Sequence, residues 1–370
     1  MNTLALTENK SISSVRNSNL ELYRIIVMIL IIAHHYVVNS GVLELMYRLP
    51  LSTKSIYMFI LGAWGKVGIN CYIFITGYFM CKKEITLKKY SQLIIEILFY
   101  NVGISFIFFI VGIGSLRDVI NSLIIIRNID SGNFTACFLM FYLLIPFLNI
   151  LINNINEIQH RFLIGILFFL YIFLGTMPKF SVTMNYVSWF CYIYLVSSYI
   201  RFHEIKKRNW GGDTLFFIIL SIISVVVCLF LSCILNKNIA YRFVTDSNQF
   251  LAFAVSFCSF MYFNNLQIKK YNRSINLFGK STFGVLLIHT SSDAMRSWLW
   301  GDVCKVKYVF HFPFYKLFIY SVFSILLVFI ICSIIEIARQ KFIEQQMLNR
   351  IQLSRLYKRI DDWTSSLISN

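Results

Sequence analysis

Long apolar runs separated by short polar segments follow one another along almost the whole chain. A helix needs about 20 apolar residues to cross the roughly 30 Å hydrocarbon layer of a membrane, and most of these runs have that length. Lipid offers no partners to open backbone groups, and the runs are too long for the alternating strands of a barrel. The pattern therefore predicts an all-α, polytopic transmembrane helix bundle of about ten spans, at residues 21–39, 57–79, 90–113, 134–152, 161–177, 186–201, 214–235, 248–264, 278–299 and 314–337.

The same pattern divides the chain into three segments. Residues 1–19 are polar and lack the apolar run of a secretory signal, so the first span should be retained as an anchor. Residues 20–337 are expected to form one membrane domain, in which 116–127 is a candidate interfacial helix. Residues 338–370 form a basic cytoplasmic tail. The composition, 58% hydrophobic and 14% charged, agrees with a membrane protein.

The distribution of basic residues predicts the orientation of the bundle. Of the 34 Lys and Arg, 21 fall on the side of the N-terminus and 11 on the other, while Arg24 and Lys66 lie inside spans. Because the richer side of a membrane protein is usually cytoplasmic, both termini should lie in the cytoplasm. The net charge of +17 then reflects topology and contact with anionic membrane lipids. Nucleic acid is not an expected partner, because the basic residues form no single footprint.

Cysteine carries no recognisable chemistry in this chain. Its nine cysteines are scattered, mostly within apolar runs, and show neither a CxxC motif nor metal-like spacing to histidine. We therefore expect no metal site. Nucleotide-binding glycine motifs and the nucleophile elbow of hydrolases are also missing. Any chemistry must come from polar residues within the spans, where a mid-bilayer charge costs roughly 2.5–3.5 kcal/mol and usually has a partner or a task. These residues are Arg24, His34, His35, Lys66, Glu96 and His289.

Arg24 and His35 are predicted to share one face of the first helix. At 100° per residue they differ by about 20°, and they are about 16 Å apart along the axis, whereas His34 points about 80° away. This geometry favours His35 as the functional histidine. The alternative is structural: Arg24 extends toward water beside Glu21, and both histidines bond to other helices.

Two further residues are expected near the depth of His35. His289 lies about 15 Å along the ninth span and Lys66 descends from the opposite side, so the three groups are candidates for one buried site. Asp293 and Arg296 follow His289 at i+4 and i+7, on nearly the same helical face. They would orient the imidazole or a substrate, or form an ion pair at the rim. Glu96 is expected to be structural support.

The order of several motifs resembles one known family. In the sequence LELYRIIVMILIIAHHY, ten residues separate an arginine (Arg24) from a histidine (His35), as in the membrane-bound acyltransferase 3 family. GKVGINCYIFITGYFM resembles the second-helix pattern of that family, CFLMFYLLIPFLN its mid-chain aromatic and proline signature, and FGKSTFGVLLIH its late motif that ends in histidine. The resemblance covers about 20–337. Its departures are Asn70 where many members have aspartate, Leu286 where an aromatic residue is common, and a missing mid-chain tryptophan near Cys137.

The resemblance implies a reaction and a donor. An acyl group, usually acetyl, would pass from cytoplasmic acyl-CoA to a hydroxyl of a cell-surface glycan or a lipid-linked oligosaccharide, in the plasma membrane. No bound cofactor is implied, since acyl-CoA (acetyl-CoA) is the donor substrate. Its phosphates would meet a basic inner mouth, because guanidinium and ammonium groups bind phosphate; the donor-binding candidates are Arg24, Lys82, Lys83, Lys88 and Lys89.

The implied catalytic residues are His35, His289 and Lys66. His35 would act as a general base or would carry the acyl group itself, and the sequence leaves both mechanisms open. Lys66, His289 or Asn70 would donate hydrogen bonds to the developing oxyanion. Asn70, Asp293 and Arg296 remain candidates for acceptor binding or support. A transporter or flippase of lipid-linked glycans is the competing interpretation, and it predicts inverted repeats and paired broken helices.

Overall fold

The computed structural model describes residues 17–127, 129, 133–177, 180, 182, 184–203, 205–266, 271–354 and 357–361. Within these residues every regular element is a helix, so the predicted all-α class is confirmed. Most of the N-terminal segment 1–19 lies outside the described residues, as does the end of the tail 338–370.

Among the described residues of the first half of the chain there are nine helices and a π-helical turn. Their bounds are α1 Ser18–Val38, α2 Leu43–Arg48, α3 Thr53–Gly62, α4 Gly65–Met80, α5 Leu87–Ile110, α6 Leu116–Ser122, α7 Phe134–Asn154, α8 Glu157–Leu167, a π-helical turn Phe168–Phe173 and α9 Leu174–Thr176.

The described residues of the second half continue with further helices and π-helical turns. These are α10 Tyr186–Phe202, α11 Trp210–Leu235, α12 Phe250–Asn265, α13 Arg273–Thr290, α14 Asp293–Ser297, a π-helical turn Trp298–Val303, α15 Val306–Val309, α16 Phe314–Arg339, a π-helical turn Gln340–Glu344 and α17 Gln345–Gln352. We call the end of the bundle where α1 begins and α4 ends the inner end, and the opposite end the outer end.

All ten predicted spans fall on helices. α10, α12 and α13, with 17, 16 and 18 residues, are shorter or more polar than the others. In the part of the chain that the structure describes, seven helical stretches are long and apolar enough to cross a membrane: Ser18–Val38, Thr53–Met80, Leu87–Ile110, Phe134–Asn154, Glu157–Thr176, Trp210–Leu235 and Phe314–Gln352. The chain is thus a multi-pass membrane protein.

Two expected spans are interrupted. The second, 57–79, consists of α3 and α4 separated at Ala63 and Trp64. The ninth, 278–299, is not continuous either, because α13 ends at Thr290 and α14 begins at Asp293. Both interruptions lie toward the outer end of the bundle.

The centre of the bundle is formed by α1, which packs against α4, α13 and α16, while α4 also packs on α10 and α12. Aromatic contacts join these helices: Tyr23 of α1 stacks on Phe263, at 4.7 Å between ring centroids, and its hydroxyl lies 2.7 Å from that of Ser259. α8 is peripheral: in the apolar stretch Glu157–Thr176, which α8 begins, only about 11% of the residues are buried. The helices that contact α1 and α4 therefore form the core of the bundle, and α8 lies at its edge.

A buried ionic cluster joins α5, α13 and α16. Arg339 donates to the carboxylate of Glu336 through two nitrogens, at 2.8 Å each, and Tyr100 donates to the same carboxylate at 2.7 Å. Glu96 is 3.6 Å from Arg339, which agrees with a supporting role. Glu336 is fully buried and rests on Gly284 of α13, where any side chain would collide with its carboxylate. The cluster holds these three helices together.

Candidate active site

The structure brings two of the predicted histidines into direct contact. His35 of α1 and His289 of α13 lie with Nδ1 of the former 3.0 Å from Nε2 of the latter, and their ring centroids are 5.2 Å apart. His289 is fully buried, whereas His35 keeps a partly exposed surface. His35 is therefore the member of the pair that a ligand can touch.

The hydrogen bonds of the pair assign its protons. The carbonyl of Val285, 2.6 Å from Nδ1 of His289, can only accept, so that nitrogen carries a hydrogen. Nε2 of a neutral His289 is then an acceptor, and Nδ1–H of His35 donates to it. Nε2 of His35 is left with a free lone pair. The pair thus presents one basic nitrogen, oriented by a second imidazole, which is the arrangement a general base or a nucleophile requires.

His34 faces another part of the bundle. Its Nδ1–H donates to the carbonyl of Gly62 at 2.6 Å, where α3 ends. Its ring covers Gly65, the first residue of α4, so closely that a Cβ atom there would overlap it. His34 therefore braces the interruption between α3 and α4 and takes no part in the histidine pair.

Lys66 lies near the pair without touching it. It stands in the first turn of α4, its Nζ donates to the hydroxyl of Tyr186 at 2.6 Å, and it lies 5.1 Å from the centroid of that ring. Its charge still reaches His35 electrostatically. Lys66 is thus a nearby cation that is held by α10.

Asn70 is committed to the scaffold. Its Oδ1 accepts from the indole N–H of Trp189 at 2.8 Å, and its Nδ2 donates to the carbonyl of Ser247 at 2.8 Å. The side chain is fully buried. Asn70 therefore connects α4 with α10 and with the segment before α12, as a supporting residue would.

Arg24 lies near the inner end of α1. Its guanidinium pairs with Glu21 at 3.1 Å and stays partly exposed, and its backbone carbonyl accepts from Tyr72 at 3.4 Å. The pairing with Glu21 was the structural alternative for this residue. A guanidinium has five N–H donors, however, so one carboxylate leaves several of them available. Arg24 and His35 are eleven residues apart, about 16 Å along α1.

A comparison with protein families identifies the chain. A family model described as an acyltransferase domain, that of acyltransferase 3, matches residues 17–337. The chain belongs to the acyltransferase 3 family. Searches of curated proteins and of solved structures return no match. The protein is therefore a membrane acyltransferase, and the matched residues include both histidines of the pair.

Two predicted site residues of this acyltransferase are placed differently from expectation. Asp293 and Arg296 form an exposed ion pair with each other, as in the rim alternative. They do not continue the helical face of His289, because the hydroxyl of Ser292 accepts from Met295 N–H at 3.0 Å and starts a new helix. The prediction that Asp293 and Arg296 lie on nearly the same helical face as His289 is therefore wrong.

The four lysines predicted to bind the donor lie at the inner end of the acyltransferase, after α4 and at the start of α5. Lys82 lies 5.1 Å from the centroid of Phe202, and Lys89 donates to the carbonyl of Glu84 at 2.8 Å. Arg201 lies 4.6 Å from the ring of Tyr78 and donates to its hydroxyl at 2.8 Å. We call the following residues the inner basic surface: Lys82, Lys83, Lys88, Lys89 and Arg201.

Two residues near the histidine pair and at the inner end, Tyr186 and Arg201, were not predicted from the sequence. Tyr186 was not singled out as the partner of Lys66, and only tertiary contact reveals the pairing. The sequence does place Arg201 near Lys82, since Arg201 lies in the last turn of an apolar run that ends on the same side. Arg201 was counted only among the basic residues that predict the orientation of the bundle.

Proposed function

We propose that this acyltransferase moves an acyl group, most simply acetyl, from cytoplasmic acyl-CoA to a hydroxyl of a cell-surface polysaccharide or of its lipid-linked precursor in the plasma membrane. The observation that carries the proposal is the free Nε2 of His35, oriented by His289 within the membrane domain. A sugar hydroxyl is a weak nucleophile near neutral pH, and a positioned general base typically accelerates its reaction by roughly 10²- to 10⁴-fold.

The charge distribution of the inner end supports a phosphate-bearing donor. Arg24 and the inner basic surface gather cations on the side with the larger excess of Lys and Arg. The phosphates of acyl-CoA would bind there, with the forked guanidinium as the most specific contact. The pantetheine arm would then extend along α1 and bring the thioester toward His35. In this proposal the phosphates of acyl-CoA bind at the inner end, and its thioester meets the histidine pair deeper along the same path.

Two routes are compatible with the free nitrogen of His35. In the first, Nε2 takes the proton of the acceptor hydroxyl, the oxygen attacks the thioester carbon, the carbon–sulfur bond breaks, and the imidazolium returns the proton to the departing thiolate. In the second, Nε2 itself attacks the thioester carbon, the carbon–sulfur bond breaks and the CoA thiolate leaves, which forms an acyl-imidazolium. The acceptor hydroxyl then attacks the acyl carbon, the carbon–nitrogen bond breaks, and the hydroxyl proton passes to solvent, from which the thiolate is protonated. Lys66 supplies positive charge near the developing oxyanion in either route.

The transporter alternative gains one observation from the fold. Interrupted helices are a common feature of transporters, and this bundle has two, at Ala63–Trp64 and at Ser291–Ser292. Membership in an acyltransferase family favours the enzyme. The interruptions also have local causes, since His34 braces the first and the hydroxyl of Ser292 caps the helix that follows the second.

The deciding experiment measures donor chemistry directly. The purified full-length protein in lipid nanodiscs is incubated with acetyl-CoA and an alkyl glycoside, and both free CoA thiol and O-acetyl ester are quantified. We expect thiol release and ester formation in equal amounts. Flipping of a lipid-linked sugar in proteoliposomes without any acetyl-CoA consumption would instead support the transporter.

A further inference from the structure

Three residues that neighbour the histidine pair in sequence or by ring contact each carry an unpaired polar atom. These atoms are the hydroxyl of Tyr36, the hydroxyl of Ser291 and the indole N–H of Trp300, which are buried and have no hydrogen-bond partner among the described residues. Tyr36 and Trp300 are fully buried. Native proteins pair nearly all buried polar groups, so unpaired groups in one place require an explanation. We call these three atoms the outer polar cluster.

The cluster lies on the outer side of the pair. Tyr36 directly follows His35 on α1, and Ser291 follows His289 by two residues beyond α13, and both helices run from the inner to the outer end. The ring of Trp300 stands edge-on to two of these neighbours, 5.8 Å from Tyr36 and 6.4 Å from His289 between centroids. Trp300 thus forms the outer wall of the histidine pair.

The local backbone points to a ligand at this place. Trp300 belongs to the π-helical turn Trp298–Val303, and Ser291 lies in the interruption between α13 and α14. π-helical turns occur frequently at functional sites. Here each irregular segment carries one polar group of the cluster, Ser291 in the interruption and Trp300 in the π-helical turn. Continuous α-helices would place both side chains differently. Ser291 and Trp300 therefore both combine irregular backbone with an unpaired donor, and the Trp300 ring contacts His289 and Tyr36.

The chemistry of the cluster suits neutral hydroxyl groups. An indole N–H only donates, and a tyrosine or serine hydroxyl both donates and accepts, so together they match a ligand that carries several hydroxyls. Aromatic side chains also offer apolar faces to sugar rings. An anionic ligand is a poorer match, because the nearby cation Arg296 is already paired with Asp293.

We propose that the outer polar cluster binds hydroxyl groups of the acceptor sugar and directs the reacting hydroxyl toward Nε2 of His35. This inference rests on the proposed function for the identity of the acceptor. Donor and acceptor then approach the histidine pair from opposite ends of the bundle, the donor past Arg24 and the acceptor past Trp300. Trp300, Tyr36 and Ser291 are positioning residues in this scheme.

Binding is tested without any catalysis. Full-length protein with ¹⁵N-labelled tryptophan indoles is placed in nanodiscs and titrated with octyl glucoside, octyl galactoside and octyl N-acetylglucosaminide below their micelle concentrations. The indole resonance that disappears in Trp300→Phe should shift on titration with at least one glycoside. The resonance assigned by Trp298→Phe, whose ring packs on Phe108 at 5.7 Å, should stay in place. No shift at Trp300 with any glycoside, or equal shifts at both tryptophans, overturns the inference.

Kinetics separate this inference from the proposed function. Trp300→Phe keeps the aromatic ring but removes the N–H, so the KM for the responsive glycoside should rise at least tenfold while the KM for acetyl-CoA changes less than twofold. Trp298→Phe is the matched control and should leave both constants unchanged. If the wild type consumes acetyl-CoA but Trp300→Phe keeps its acceptor KM, the inference is wrong and the function stands. If the glycoside shifts the Trp300 resonance but no acetyl-CoA is consumed, the function is wrong and the binding site stands.

Discussion

Neighbouring residues of the same type have different tasks in this chain. His34 and His35 are adjacent in sequence, yet the first bonds to a backbone carbonyl of α3 and the second to an imidazole of α13. The angular offset along α1 predicted that they face different neighbours, because that depends only on helical geometry. It did not predict that His289 would be the direct partner of His35, since the distance between two helices is set by packing.

The first prediction concerns these two histidines. His35→Ala should abolish nearly all acyl transfer, by at least the roughly 10²- to 10⁴-fold that a general base contributes. His34→Asn retains an N–H donor near the Gly62 carbonyl and should keep substantial activity. Rates are measured at equal protein levels in the membrane. An active His35→Ala beside an inactive His34→Asn would move the mechanism to His34.

The second prediction concerns Arg24. A hydrogen bond to a charged group contributes roughly 1.5–3 kcal/mol, so Arg24→Ala should raise the KM for acyl-CoA roughly 10- to 100-fold. The kcat should change little, because the lost contact is remote from the reacting carbon.

The matched control for Arg24 is Arg161→Ala. Arg161 also pairs with a glutamate of its own helix, Glu157, but it lies on the peripheral α8. Its removal should leave both kinetic constants unchanged. An unchanged KM with a collapsed kcat in Arg24→Ala would contradict donor binding.

The helices show where sequence patterns succeed and where they fail. Apolar periodicity and length predicted the existence of every long helix, because burial in lipid imposes both. Periodicity did not reveal the two interruptions. At Ala63 and Trp64 no proline marks the break, and the bond that braces it comes from His34 on another helix. At Ser292 a local capping signal exists within the polar stretch TSSD, but the predicted span 278–299 continued across it.

The third prediction concerns the contact between α13 and α16. Gly284→Ala should lower the thermal stability of the bundle, because the added methyl group collides with the buried carboxylate of Glu336. Overpacking of this kind typically costs about 1–3 kcal/mol.

Gly165→Ala on α8 is the control for the glycine substitution. Nothing lies within 4 Å of a Cβ atom there, so the change should be neutral or stabilising by up to about 1 kcal/mol. Melting of both variants in detergent by intrinsic fluorescence compares them directly. Equal melting temperatures for Gly284→Ala and the wild type would contradict the prediction, because they would show that α16 accommodates the methyl group without loss of stability.

At the scale of the whole molecule, fold class and family were accessible from sequence. Both depend on features spread over the chain, namely the apolar runs and the order of the motifs, and the family match over residues 17–337 supports them. The supporting contacts were not accessible in the same way. Asn70 obtains its two partners, Trp189 and Ser247, from positions 119 and 177 residues away in sequence. Such pairings follow from how the helices assemble.

The fourth prediction concerns orientation. The excess of Lys and Arg on the side of the N-terminus predicts that both termini are cytoplasmic and that the loop 39–56 is external. Green fluorescent protein fused after Asn370 should fluoresce, and alkaline phosphatase at the same position should be inactive. Phosphatase inserted in the 39–56 loop should be active. The reverse pattern would invert the bundle and separate Arg24 from the cytoplasmic donor.

The histidine pair also has a consequence for the timing of biosynthesis. Its members are 254 residues apart in sequence. At a translation rate of about 5–20 residues per second, His35 enters the membrane about 13 to 50 s before its partner is made. Throughout that interval the nascent chain carries an imidazole without the group that orients it. A chain that ends between residues 201 and 289 therefore carries Arg24 and the inner basic surface but no assembled pair, so we expect such truncated products to be inactive.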